Sequence, residues 1–202
     1  SAISIPAAGT TLTYSGGNLN VGSHTLSIGG AGTLSNATGS PLVLDVADSI
    51  LSLTGNGTIS GPVKLESGTL KSTGSPTVSG AMPQSGDTTI DVLANKTLTY
   101  SGAPLSLGPN TLTMSGGGTL SNTNALELNH ADSLLTLDGT VTIGKASVTA
   151  SSNTGKGLAI NISSTISSLT VSADTELNIA DGITLSGATE ISSGTTLKLS
   201  ST

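Results

Sequence analysis

Residues Thr11–Asn36 read TLTYSGGNLNVGSHTLSIGGAGTLSN, and residues Thr97–Asn122 read TLTYSGAPLSLGPNTLTMSGGGTLSN. Of the 26 aligned positions, 16 are identical. Self-similarity at this level marks a repeat architecture. The match resumes with LVLDVADSILSLTGNGTI at Leu42–Ile59 against LELNHADSLLTLDGTVTI at Leu126–Ile143, two residues out of step. The second copy therefore carries a small deletion. A third, shortened copy is read at Leu169–Gly182, LTVSADTELNIADG, aligned with IDVLANKTLTYSG at Ile90–Gly102. The chain divides into repeat 1 at about 1–87, repeat 2 at about 88–165 and a truncated repeat 3 at about 166–202, all within a single domain 1–202.

Inside each repeat, apolar residues alternate with Ser, Thr or Asn, as in Leu12 and Tyr14, Leu26 and Ile28, and Val63 and Leu65. A period of two is the strand period. Gly, Asn, Asp and Pro punctuate these short runs at Ser15–Asn18, Gly29–Gly32, Gly55–Gly57 and Ser101–Pro104. Such residues tolerate positive φ or preset turns. No segment carries a sustained helical stripe. An antiparallel sandwich and a β-solenoid both suit this pattern. The long repeat, the short strands with dense corners, and the lack of large core residues favour the solenoid. The expectation is an all-β, single-domain β-solenoid (parallel β-helix) with internal repeats. With turns of about 20–25 residues stacked about 4.8 Å apart, it would make roughly 8–10 turns.

Composition narrows the task. Charged residues are 9% of the chain, against about 25% in ordinary domains. The net charge is −6, and the six basic residues are all Lys. Without Arg or a basic face, nucleic acid and anionic membranes are poor partners. There is no Cys, which excludes disulfides and thiolate metal sites. No apolar run approaches the 18 or so residues of a membrane helix, so membrane insertion is not expected. The chain opens SAISIP, without Met or a charged n-region. That reads as a mature N-terminus or a cut boundary, any signal peptide being gone.

The runs GSHTLSIGGAGTLSN (Gly22–Asn36) and LSLTGNGTISGPVKLESGTLKSTG (Leu51–Gly74) resemble the passenger regions of bacterial autotransporter and two-partner-secreted adhesins. Those regions are right-handed β-helices. The resemblance implies secretion, exposure at the cell surface, and an adhesive or scaffold role. It supplies no catalytic residues.

Several residues invite a functional reading. Tyr14 and Tyr100 are the only aromatic residues. They share a strand face with Leu12 and Leu98, and Ile179 is aligned with Tyr100, so inward packing competes with ligand stacking. Asp48 and Asp132 recur in ADS words. They suit Asx turns at coil corners, with calcium or acid catalysis as the alternatives. His24 aligns with Asn110 and His130 with Val46, so neither belongs to a repeated metal pair, and both read as exposed coil residues. Thr-x-Thr words at Thr11–Thr13, Thr97–Thr99, Thr111–Thr113 and Thr140–Thr142 would face outward. A flat ladder of them resembles ice-binding β-solenoids, although their spacing along the chain is irregular. Sequons stand at Asn36–Thr38, Asn56–Thr58, Asn95–Thr97 and Asn161–Ser163. No catalytic, cofactor-binding or metal-ligating set emerges, and no enzyme is expected.

The sequence shows no helical or strongly charged cap near either end, and it finishes on the strand-like TTLKLSST. Exposed strand edges pair with other chains. The expected function is a secreted structural protein, a subunit of an extracellular filament or surface adhesin. It would self-associate into a fibre by head-to-tail stacking. The alternative is an ice- or glycan-binding module, with host or cell-surface glycan as partner.

Overall fold

Short alternating runs separated by glycine corners must bury their apolar side against another run. The chain winds, and each run stacks on its counterpart one turn earlier. The computed structural model, which describes residues 1–37 and 39–201, is a parallel β-solenoid of about nine turns with no helix. The strands fall on three faces, and most turns give one to each. The first face is a ten-stranded parallel sheet running in chain order from Ala2–Ile5 to Leu197–Ser201. The second face begins at Thr11–Tyr14 and includes Thr97–Tyr100 and Thr119–Asn122. The third face holds Leu19–Asn20, Leu42–Leu44 and Val63–Leu65, then resumes at Leu105–Ser106 and Leu126–Leu128. Thr142–Val148 and Ser164–Val171 are long enough to run round the corner from the second face to the third.

Register is kept by inward ladders. On the first face one ladder runs Leu26, Leu51, Leu70, Ile90, Met114, Leu137, Ile160, Ile179. Neighbours in it are 25 residues apart between Leu26 and Leu51 but 19 apart between Leu51 and Leu70. Turn length varies while side chains stay stacked, because the corners absorb the difference. The buried ladders join in one continuous core from Ile5 to Leu177. Leucine dominates it, since a repeated position enclosed on all sides is filled by a compact aliphatic group.

The ladders correct one sequence alignment. Ile179 stands in the first-face ladder of Ile90, not opposite Tyr100, which lies on the second face between Val78 and Asn122. The word LTVSADTELNIADG matches IDVLANKTLTYSG in pattern but is displaced by one face. Period-two patterns look alike on every face, so the sequence alone misplaced it.

The corner between the first and second faces is built of stacked glycines. Gly30 and Gly116 adopt positive φ, 95° and 91°. Gly55 has ordinary φ, but a Cβ there would lie 2.0 Å from Gly30 O. Within these glycine stacks the backbones approach so closely that no side chain fits.

Candidate functional site

The outer side of the second face carries two columns of threonine. One runs Thr11, Thr33, Thr58, Thr77, Thr99. The other runs Thr97, Thr119, Thr142, Thr165, Thr184. Their inward neighbours Leu34, Ile59, Val78, Leu98, Leu120, Ile143 and Ile166 are buried, so alternation turns the threonines outward. The irregular spacing noted in the sequence does not disturb the columns, because turns of unequal length still place threonine on threonine. Thr13 and Ser35 form a second hydroxyl row beside the first. Neighbouring hydroxyls lie about 4.8 Å apart along the rod and about 6.6 Å apart across it. No charged residue stands in either column.

The tyrosines face inward, as parity requires. Tyr100 is fully buried. Its hydroxyl accepts the Met82 N–H at 3.2 Å and donates to Ala103 O at 2.5 Å. Burial pushes its phenol above the ordinary tyrosine range, against a smaller opposing pull from the Met82 N–H. This side chain sits where the third-face ladder is interrupted. Pairing there reaches Gln84 by a single bridge from Leu65 and resumes only at Leu105–Ser106. Pro83 and Pro104 flank the break and cannot donate. The phenol thus links two turns where the backbones do not pair. Tyr14 is half-buried, and its hydroxyl lies nearest Gly16, whereas a ring edge of Tyr100 lies nearest Gly102.

The acids do less than their repetition suggested. Asp48 is exposed. The corner role expected of Asp48 and Asp132 belongs to their neighbours. Ser49 Oγ donates to Gly22 O at 2.7 Å, and Asp45 Oδ1 accepts the Gly22 N–H at 2.7 Å. In the second copy Ser133 Oγ donates to Gly108 O at 2.6 Å, and Asn129 Oδ1 accepts the Gly108 N–H at 2.9 Å. Ser49 and Ser133 are buried. Asp132 accepts a bond from Asn153 Nδ2 at 2.7 Å and lies 3.7 Å from the exposed His130. His24 is likewise exposed. The signal that would have found the serines was the identity of ADS in both copies, read at its third letter.

Among the described residues, no group of three or more His, Cys, Asp or Glu could hold a metal ion. A shallow groove on the first face is lined by Thr69, Thr89, Thr111 and Thr113 with one acid, Asp87. Asp87 Oδ1 already accepts the Thr111 N–H at 2.6 Å. Glycoside hydrolysis uses two facing carboxylates, and this groove has one. Of the sequons, Asn56, Asn95 and Asn161 are exposed, whereas Asn36 is buried; its partner Thr38 lies outside the described residues.

One acid clips the last strand. Glu176 accepts from Ser200 Oγ at 2.6 Å and from Lys198 Nζ at 3.1 Å. These bonds, that of Ser200 first, hold its carboxyl below the usual carboxylate range. A depressed carboxyl adds stability above its unfolded pKa and loses it as pH falls through the folded value. Hydrogen exchange of the Leu197–Ser201 amides should therefore gain protection relative to Glu176→Gln at neutral pH, and the difference should vanish in acid. An unchanged difference at low pH would contradict the clip.

The second-face ladder Leu98, Leu120, Ile143, Ile166 is fully buried, yet its last member Leu185 is 37% exposed. Beside it Ile191 is 49% exposed, and at the opposite edge Leu12 is 44% exposed. No known protein family, curated protein or solved structure matches the chain.

Proposed function

We propose that this chain is a structural β-solenoid of an extracellular filament or surface adhesin, whose copies stack head to tail. The observation that carries this reading is the fate of the second-face ladder, buried for four turns and then open at Leu185, with Leu12 open at the other edge. Covering what remains exposed of each leucine is worth about 1 kcal/mol, and the open strands offer their backbone groups to a partner. A contact between two different edges does not close on itself and extends into a fibre. The likeness of the repeats to secreted passenger regions supports a place at the cell surface. Electron microscopy and sedimentation velocity over a concentration series test it. Rods that lengthen with concentration are expected, and Leu185→Lys should keep them single. Short monomeric rods at every concentration would sink the reading.

A second reading is favoured by the threonine columns. Uncharged columns of hydroxyl and methyl groups, held rigid by the sheet beneath, suit a surface that is itself a lattice of ordered water. Aromatic platforms for sugar rings are missing from these columns. Ice binding predicts thermal hysteresis and faceted crystals, both lost when Thr77→Lys breaks a column. Unfaceted ice at high protein concentration removes this reading.

A further inference from the structure

The chain contains, inside itself, a junction of the kind that head-to-tail stacking requires. Between the fourth and fifth turns, the segment TVSGAM at Thr77–Met82 receives the segment TLTYSG at Thr97–Gly102. Thr77 pairs with Thr99 and Val78 with Tyr100, and the Met82 N–H reaches the Tyr100 hydroxyl. The open edges carry TLTYSG itself and a word that shares four of its six letters with TVSGAM. TLTYSG recurs at Thr11–Gly16 on the first turn, and TLSGAT stands at Thr184–Thr189 on the last.

The backbone of the last turn points the same way, although Thr189 opens the paired strand Thr189–Ile191 whereas Met82 lies outside any strand. In the fourth turn Ala81 O accepts from Val63 N of the preceding turn, which leaves the Met82 N–H facing onward. In the last turn Ala188 O accepts from Leu169 N of the preceding turn. Alternation along the strand then turns the Thr189 N–H toward the open side. Tyr14 holds the register place of Tyr100, though it is half-buried and its hydroxyl, not a ring edge, lies nearest the following glycine. Its partner one turn later is Asn36, as that of Tyr100 is Asn122.

One element stands in the way. In the internal junction the first-face strand Thr88–Val92 stacks on Thr69–Ser72. In the last turn the corresponding place, on Thr175–Ile179, is taken by Leu197–Ser201. An incoming copy would bring its own Ala2–Ile5 to that place. The resident strand is poorly covered, with Leu199 65% exposed.

Resting on the head-to-tail reading, we infer that the TLSGAT edge of one copy receives the TLTYSG edge of a second. Tyr14 accepts the partner copy's Thr189 N–H, and Leu197–Ser201 yields its place to the incoming first strand. The contact is therefore gated by the last strand and latched by a phenol.

The cysteine-free chain allows a direct test. Asn178 and Ser200 are register partners on the outer side of the first face, at a separation suited to a disulfide. In Asn178→Cys/Ser200→Cys, oxidation should lock the last strand and abolish assembly, and reduction should restore it. Tyr14→Phe should weaken assembly roughly three- to tenfold, the worth of one hydrogen bond, while leaving the melting temperature of the single rod unchanged. If the wild type never assembles, stacking itself fails and the latch with it. If the wild type assembles and the oxidised lock does so equally, the strand gate is wrong. Undiminished assembly of Tyr14→Phe overturns the latch.

Discussion

Gly55→Ala should cost about 3 kcal/mol, at the upper end of overpacking penalties, although one methyl on a corner residue looks harmless. The added Cβ would lie 2.0 Å from Gly30 O and 2.4 Å from Gly30 N. Gly55 has no positive φ to lose, so the whole effect comes from the approach of two backbones. Neither can step aside, because each is fixed by its own ladder. Gly74 meets Gly55 O in the same way at 2.1 Å, and Gly139 meets Gly116 O at 2.1 Å. The strain would therefore reach Gly74 in the next turn, whereas Gly116 and Gly139 form a separate stack. In thermal unfolding the variant should melt roughly 6–12 °C below the wild type. Gly17→Ala, which has open space around its Cβ, should stay within about 0.5 kcal/mol as a surface change. Equal melting of Gly55→Ala and the wild type would show that the corner backbones separate freely.

Asn122→Ala should cost a similar amount, about 3 kcal/mol, through lost hydrogen bonds to groups that stay buried. The Asn122 side chain closes both main-chain groups of Lys145. Nδ2 donates to Lys145 O at 2.7 Å, and Oδ1 accepts the Lys145 N–H at 3.0 Å. It also donates to Asn124 O at 2.8 Å. Truncation strands these groups at a corner where Asn122 is 5% exposed. The first copy provides an internal control. Asn36 Nδ2 donates to Pro62 O at 2.9 Å, but proline has no N–H to return, and Asn36 Oδ1 is buried without a partner among the described residues. Asn36→Ala should therefore cost less than Asn122→Ala. Chemical denaturation of the two variants measures the difference, and the reverse order would refute the assignment.

The sequence disclosed the winding and hid the corners. Alternation of Leu with Thr is a direct imprint of inward and outward faces, so the solenoid is legible from runs such as Leu26–Ile28, while the turn length is not. The corner chemistry was less legible than the winding. Gly55 looked like a turn glycine chosen for φ, whereas it is needed for space, and contact between turns leaves no local trace in a sequence. Asp48 drew attention by charge, while buried Ser49 makes the bonds. Tyr100 was placed inward by parity, but its link to Met82 depends on a break in pairing that only the fold reveals. The threonine columns were discounted because linear spacing varied. Register in a solenoid is set by stacking, and linear distance does not report it.

The variable corners also govern how the rod would answer a pulling force. Tension applied to the two ends loads the outermost ladder first, so the coil should unravel from an end one turn at a time. Each event would release the 19 to 25 residues that separate successive ladder partners, about 60–90 Å of extended chain. A rod of this build would pay out in unequal steps under load.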